Sequence, residues 1–502
     1  MPALSEVPLS DWLLGLLLLA GMIILLFLTE AFYRRYPQRA EALRKFIHIA
    51  TGITVLPAPL LFQSAVPLFL ITTLFAVANL ISIQRGKLKS IHQVLRASLG
   101  TFYYPLSFAI LLILFWSRDF MLLSVPFALM AFGDAAAGIF ARNVPNRKML
   151  PLPWDKKSLQ GSAAMFVASA IIVAIGCAVF RQSHPLAWEK IIAVAIAIGL
   201  IAAAAEALSY RGSDNLTVPL LAALGLSVIL KPETQQQFLF GETLALTVVI
   251  IAFVVKALDL SGALAGFIVG TIVFGIGGWW FAIPMLLFFI VSSMLSKLSQ
   301  RSAKLAEEII AKSGRRDATQ VLANGFLPTL LVITSLFIKE ETAFLLYLGG
   351  LAAATADTWA TEIGLRFGKN PRAILTGKPV APGTSGGITL AGIMGAILGA
   401  ALVALAGLWS HRVFTSIEIN WLAFANVAII GVVAHFIDSL LGATVQRRNR
   451  CGVCGKITER DEHCAQQTNY AAGWKWLDND GVNVACGGSG ILLMLLTHLL
   501  MS

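Results

Sequence analysis

Apolar runs of roughly twenty residues, broken by short polar stretches, recur from one end of this chain to the other. A run of that length crosses the hydrocarbon core of a bilayer as one helix. The pattern predicts sixteen segments, eight in each half. In the first half they cover 11–31, 46–63, 65–83, 97–116, 120–141, 158–180, 189–209 and 215–230. After the polar stretch Lys231–Gln237 come 242–256, 260–275, 279–296, 321–338, 342–362, 384–409, 421–441 and 485–501. Segments 260–275 and 485–501 are short enough to be re-entrant rather than spanning. The first run, Asp11 to Thr29, is longer than a signal-peptide core and lacks a cleavage site, so a retained helix is expected. The expected fold is thus an all-α polytopic membrane protein with two tandem halves, 1–235 and 240–502. The second half carries a Cys-containing polar loop at 447–484.

Composition agrees with that pattern. Of 502 residues 57% are apolar and 13% charged, with mean hydropathy +0.78. A soluble domain carries about 25% charged residues. The net charge of +11 has a membrane explanation. With the N-terminus outside, 32 of the 38 Lys and Arg fall in inside loops, as the positive-inside rule requires. The expected location is a bacterial inner membrane, with the polar motifs at the cytoplasmic face. No interleaved basic and aromatic stretch points to nucleic acid. Five cysteines, two of them in apolar segments, argue against a secreted disulfide framework.

Charged groups beside apolar helices point to function by default. In the first half Arg44, Lys45 and His48 begin the second segment, and both cations share a helical face with His48. Asp134 lies among small residues in the fifth, Lys157, Ser158, Gly161 and Ser162 open the sixth, and Glu206 ends the seventh. Asp214-Asn215 precedes the eighth. Asp134, Glu206 and Asp214 are suited to a hard divalent cation. Lys157 and the amides of a helix N-terminus are suited to phosphate. Each has a plainer reading: interfacial anchors for Arg44 and Lys45, helix packing around Asp134, an N-cap at Ser158.

Residues 40–230 resemble the polyprenol kinases of the phytol and dolichol kinase group, which are related in pattern to CDP-diacylglycerol synthases. The resemblance rests on Arg44-Lys45-x-x-His48, Gly133-Asp134-x-x-Ala137-Gly138, Lys157-Ser158-x-x-Gly161-Ser162, Glu206 and Asp214-Asn215-x-x-Val218-Pro219. It implies phosphorylation of a lipid alcohol with CTP or another nucleotide and Mg2+. Gln160 and Ala141 depart from that family's usual Glu and Gly, which implies weaker catalysis or an altered nucleotide preference.

The second half has its own set. Lys256, Asp259 and Ser261-Gly262 open one segment, and Arg315-Arg316-Asp317 leads to Gln320 and Asn324. Asp357 and Glu362 are five apart, so they share one metal only where the helix breaks, for which Gly364 is placed. Gly383-Thr384-Ser385-Gly386-Gly387 is expected to start a helix and offer its amides to an anion. It is not a Walker A loop, and a flexible turn is the alternative. Asp438-Ser439 ends another helix. Over roughly 240–500 these motifs resemble the DUF92 family, which includes a human transmembrane protein and a plant phytyl-phosphate kinase. The matching core is Gln320-Val321-Leu322-Ala323-Asn324-Gly325, Ala356-Asp357-Thr358-Trp359-Ala360-Thr361-Glu362, Gly383 to Gly387 and Asp438-Ser439-Leu440-Leu441-Gly442.

Cys451-x-x-Cys454 followed by His463-Cys464 has zinc-ligand character, although adjacent ligands are awkward around one tetrahedral ion. The alternative is a reduced loop that orders the polar cap. Asp134 and Asp357, both in fifth segments, suggest two parallel repeats, with Gly161 paired to Gly383 and Glu206 to Asp438. The expected function is phosphorylation of an isoprenoid alcohol to its monophosphate and then diphosphate. Asp134, Lys157, Asp214, Arg316, Asp357 and Glu362 are the expected catalytic groups. Asp134, Glu206, Asp214, Asp357, Glu362 and Asp438 would hold magnesium. Partners would be the lipid substrate and membrane lipids. The rivals are a transporter or scramblase, whose site would lie at mid-membrane, and a cytidylyltransferase making a CDP-lipid.

Overall fold

The computed structural model describes residues 6–85, 98–116, 118–300, 314–416 and 420–501. The protein is an all-α polytopic membrane protein. Ten described helices are long and apolar enough to cross a membrane, and four shorter ones are mainly apolar. With the more polar α2 and α13 they account for the sixteen segments expected. The chain divides into two compact units, Met1–Leu239 and Phe240–Ser502.

Unit 1 holds α1 (Leu9–Arg35), α2 (Ala40–Val55), α3 (Val66–Gln84), α4 (Gly100–Phe115), α5 (Phe120–Asn143), α6 (Leu159–Val179), α7 (Trp188–Ala207) and α8 (Asp214–Ile229). Its core gathers Leu68, Phe108, Leu111, Leu123, Phe127 and Met130. The expected span 46–63 is corrected. The helix ends at Val55, because Pro57 removes an amide donor, and a separate turn follows at Ala58–Leu61. Within α5, residues Leu129–Gly133 form a π turn that ends directly at Asp134. Such turns re-aim the side chains that follow and recur at functional sites.

The polar stretch Lys231–Gln237 is helical from Pro232 onward. Pro232 stands at the first position of α9 (Pro232–Val254), where its missing N–H costs nothing. Unit 2 continues with α10 (Leu260–Gly275), α11 (Gly278–Gln300), α12 (Ala318–Thr334), α13 (Glu340–Phe367), α14 (Leu390–Phe414), α15 (Trp421–Thr444) and α16 (Asn479–Met501). Helix α13 is its axis, buried from Ala343 to Ala356 and packed by α11, α12, α14, α15 and α16. Alanines and glycines let these backbones approach closely.

Between α13 and α14, β1 (Arg372–Ala373) pairs antiparallel with β2 (Gly387–Ile388). Between α15 and α16 a small β module forms. There β3 (Arg448–Arg450) lies between β4 (Ile457–Thr458) and β7 (Asn469–Ala472), and β5 (Glu462–His463) pairs with β6 (Gln466–Gln467). The loop expected at 447–484 is therefore structured, and its last residues belong to α16.

Candidate functional site

In unit 1, polar residues from five helix ends line a cavity of about 380 Å³. They come from the start of α2, the second half of α5, the approach to α6, the end of α7 and the start of α8. Ser158 caps α6 by accepting from Gly161 N (3.2 Å), which fixes Lys157 at the rim. Lys157 Nζ donates to Glu206 Oε1 at 2.5 Å and to Asp214 Oδ2 at 3.4 Å. Ser162 Oγ donates to the second Glu206 oxygen (3.3 Å), and Ser209 Oγ to Asp214 (3.2 Å). Burial alone would lower the Lys157 pKa, but Asp214 and Glu206 outweigh it and hold the ammonium above the usual lysine range. Lys45 Nζ donates to the backbone carbonyl of Asp134 (3.2 Å). It reaches that atom across Gly138, where a Cβ would fall 1.3 Å from Nζ. The Asp134 carboxylate feels Arg44, Lys45, His48 and Lys157.

Seven cationic and four acidic side chains line this cavity. That excess suits a polyanion with its metal. Three expected residues do not line it: Ser162, which holds Glu206 from α6, and His48 and Asn215. His48 lines a separate, almost wholly apolar cavity of about 70 Å³ with Leu25, Phe75 and Tyr104. Asn215 is buried, and its Nδ2 donates to Gly212 O (3.1 Å), which ties the first turn of α8 to the preceding loop. Arg44 and Thr101 border both cavities, so polar and apolar spaces meet at one arginine.

Unit 2 repeats that arrangement with other chemistry. A cavity of about 330 Å³ brings together Arg316, Asn324, Asp357, Glu362, Gly383 to Gly387 and Asp438. Arg316 is held by its backbone: its N donates to Ala257 O (3.0 Å), and its O accepts from Asp259 N (3.1 Å). Asp259 and Ser261, read as site candidates, are structural. Asp259 caps α10 through Gly262 N (2.8 Å), and Ser261 Oγ accepts from Ala318 N (3.0 Å). Burial lowers the Arg316 pKa, and Glu362 partly opposes it.

Two expectations change here. Helix α13 runs unbroken through Gly364 to Phe367, so Asp357 and Glu362 do not converge by a break. Instead Ser296 and Ser299 of α11 both donate to Glu362. Asp357 meets α15, where its Oδ1 lies 3.1 Å from His435 Nδ1. Asp438 of α15 lines the same cavity as Asp357, and its Oδ2 is buried with no hydrogen-bond partner among the described residues. Two carboxyl groups in one cavity have the donor set of a divalent-cation site.

The Gly-rich run does not start a helix either. It is a loop, and α14 begins at Leu390, capped by Thr389 through Gly392 N (3.0 Å). Gly386 has φ +75°, and a Cβ there would lie 2.5 Å from Ala443 Cβ, so only glycine lets this loop lie on α15. A second cavity, apolar and about 80 Å³, is lined by Val249, Phe274, Phe289 and their neighbours. It shares Arg316, Gln320 and Asn324 with the polar one.

Residues 243–491 match the family described as Integral membrane protein DUF92. Protein PGR of Arabidopsis thaliana is 31% identical over 272 residues, covering 50% of this chain and 93% of the relative. The chain belongs to the DUF92 family. The phytol kinase of Synechocystis sp. is 30% identical over 190 residues, 37% of this chain and 78% of that protein. Protein VTE6, chloroplastic, of Arabidopsis thaliana is 22% identical over 235 residues, 46% of this chain and 62% of that protein. No solved structure matches the chain.

All the unit 2 cavity residues named above lie within the DUF92 match. Ser296, Ser299 and His435, together with Glu459 of the same cavity, were not singled out in the sequence. Ser385 Oγ donates to Glu459 Oε1 (2.5 Å), so the β module reaches the DUF92 cavity. Serines in an apolar helix and a histidine three residues before Asp438 carry little signal alone. The i, i+3 spacing of His435 and Asp438 was the one clue available.

The expected zinc ligands do come together. One ligand atom from each of Cys451, Cys454, His463 and Cys464 lies within 4.8 Å of the others.

Proposed function

We propose that this protein is a membrane kinase for an isoprenoid alcohol of the phytol or geranylgeraniol type. Unit 1 makes the monophosphate, and unit 2 extends it to the diphosphate. The donor is CTP or another nucleoside triphosphate with Mg2+, and both sites face the cytoplasm. The observation that carries this reading is the pairing of spaces in each unit. A polar cavity and an apolar one meet at a single arginine, Arg44 in unit 1 and Arg316 in unit 2. A molecule with a greasy tail and a reacting polar head needs that pairing. A midplane transport site does not, because its polar groups sit deep in the bilayer.

In unit 1 the lipid hydroxyl attacks the γ-phosphorus, the bond to the bridging β–γ oxygen breaks, and the nucleoside diphosphate leaves with the proton passing to solvent. Charge neutralisation and positioning carry most of such a step. Asp134 and Asp214, with Glu206 beside them, would hold the metal, which would neutralise phosphate charge. Lys157 exchanges its carboxylate partners for a phosphate of the donor, and Arg44 and Lys45 hold the donor. In unit 2 a phosphate oxygen of the lipid monophosphate is the nucleophile. Asp357 and Asp438 would be the metal ligands there, Glu362 is oriented by its two serines, and Arg316 takes the lipid phosphate. The loop Gly383–Gly387 offers backbone amides to the donor. The similarity to the phytol kinase of Synechocystis sp. supports the substrate class.

The test is to incubate membranes with γ-labelled CTP and phytol and to separate lipid mono- and diphosphate. Asp134→Ala should abolish the first product. Asp357→Ala should let monophosphate accumulate. Release of inorganic diphosphate in place of CDP would instead identify a cytidylyltransferase. Absence of lipid phosphate with every nucleotide tried would remove the kinase reading.

A further inference from the structure

The β module between α15 and α16 contains more order than its hydrophobic content explains. Its strands are two to four residues long, and its side chains are mostly polar. A module that small normally needs a staple. Its four soft donors supply one. Cys454 Sγ lies 3.5 Å from His463 Nδ1, and Cys464 Sγ lies 3.2 Å from the same atom. Ideal tetrahedral zinc bonds put sulfur and nitrogen ligands about 3.5 Å apart.

The backbone is shaped to make this cluster. Cys451-Gly452-Val453-Cys454-Gly455 folds as a tight turn. Gly455 N donates to Cys451 O (3.0 Å), and Val453 N donates to Cys451 Sγ (3.4 Å). Gly455 has the positive φ, +72°, that closes the turn. Across from it, His463 pairs with Gln466 in a two-residue hairpin. Its tip residues Cys464 and Ala465 have φ +53° and +58°. Such a tip favours Asn and Gly, and a cysteine there is held at a cost. That conformation answers the difficulty of adjacent ligands, since it turns the Cys464 sulfur back toward the His463 ring. The four donor atoms of these cysteine and histidine side chains lie within 4.8 Å of one another.

We infer that Cys451, Cys454, His463 (through Nδ1) and Cys464 bind one zinc ion, which fixes the β module so that Glu459 stays on Ser385 of the Gly-rich loop. The positional part of this inference rests on the kinase reading of unit 2; the metal site does not. Three thiolates and one imidazole fill the tetrahedron, which makes the site structural. Glu459 follows β4, whose partner β3 leads directly into Cys451. Metal loss therefore releases the strand that carries Glu459.

The test uses the full-length protein in detergent, purified under reducing conditions without added metal. Mass spectrometry should find one zinc per chain. Cobalt(II) exchanged into the protein should show the intense visible bands of a tetrahedral thiolate site. Cys451→Ser/Cys454→Ser should lose the metal. His463→Cys should keep it with a shifted cobalt spectrum, a readout that a merely misfolded loop would not give. Asp357→Asn should keep full zinc content, which separates this site from the kinase site. A wild-type protein that neither contains zinc nor takes up cobalt overturns the site. So does full metal content in the double variant. If the metal-free protein phosphorylates lipid monophosphate with an unchanged KM for nucleotide, the link through Glu459 is overturned while the zinc site stands.

Discussion

Lys157 Nζ lies 2.5 Å from Glu206 Oε1, joining the approach to α6 to the end of α7 inside unit 1. Both side chains are largely buried, at 16% and 7% exposure. Removing Glu206 leaves the ammonium with Asp214 (3.4 Å) as its remaining carboxylate partner, so the cost falls below the roughly 3–5 kcal/mol of a fully uncompensated buried charge. Glu206→Ala should therefore lower the thermal stability of the protein and abolish monophosphate formation. Conversion of added lipid monophosphate should survive. Loss of the second reaction alone would contradict the division of labour between the units.

The same pair sets a pH expectation. A lysine whose folded pKa is raised contributes stability fully below its unfolded pKa and loses it only as pH rises through the folded value. Asp214 and Glu206 raise Lys157 against the effect of burial. The first reaction should thus show no alkaline decline from Lys157 within the ordinary lysine range. Glu206→Gln removes one of the two charges and should bring that decline to lower pH. A pH–rate profile of any residual monophosphate formation checks this.

Gly138→Ala is a sharper probe of Lys45. The added methyl falls 1.3 Å from Nζ and 2.4 Å from Cε, so the flexible lysine end must leave the Asp134 carbonyl. Alanine suits the helix itself, so folding should be kept. Misplacing a positioning group by about 1 Å costs on the order of 10²-fold in rate. Steady-state kinetics with phytol should show that loss at unchanged thermal stability.

In unit 2, His435 Nδ1 against Asp357 Oδ1 orients a proposed metal ligand. Outer partners of that kind are worth about 10–100-fold in metal affinity. His435→Ala should raise the Mg2+ concentration needed for half-maximal diphosphate formation by that factor. Rate at saturating Mg2+ should change much less. An unchanged Mg2+ titration would remove His435 from this role.

Asp438 lines the same cavity as Asp357, and burying a second carboxyl there without a cation is unfavourable. Asp438→Asn should raise the melting temperature in metal-free buffer, by about 2–4 °C if the relief is about 1 kcal/mol. It should also erase the stabilisation that Mg2+ gives the wild type. Thermal shift assays with and without Mg2+ decide it.

Hydrophobic run length determined the sixteen segments, because a bilayer leaves the backbone few ways to satisfy its hydrogen bonds other than helices. Charged residues at segment ends marked most of the candidate site, since burying charge in lipid is costly enough to be rare without purpose. Tertiary structure decided what those residues do to one another. Residue 159 starts α6 where a charged rim was readable, yet the pairing of Lys157 with Glu206 needs α6 and α7 side by side. The unbroken α13 sends Asp357 to α15 and Glu362 to α11, a partition that five-residue spacing hinted at but could not assign. Cys464 joins its neighbour His463 only because a hairpin tip reverses the chain there. Periodicity and charge are local properties of a chain, whereas the partner of a buried polar group is chosen by which helices pack together.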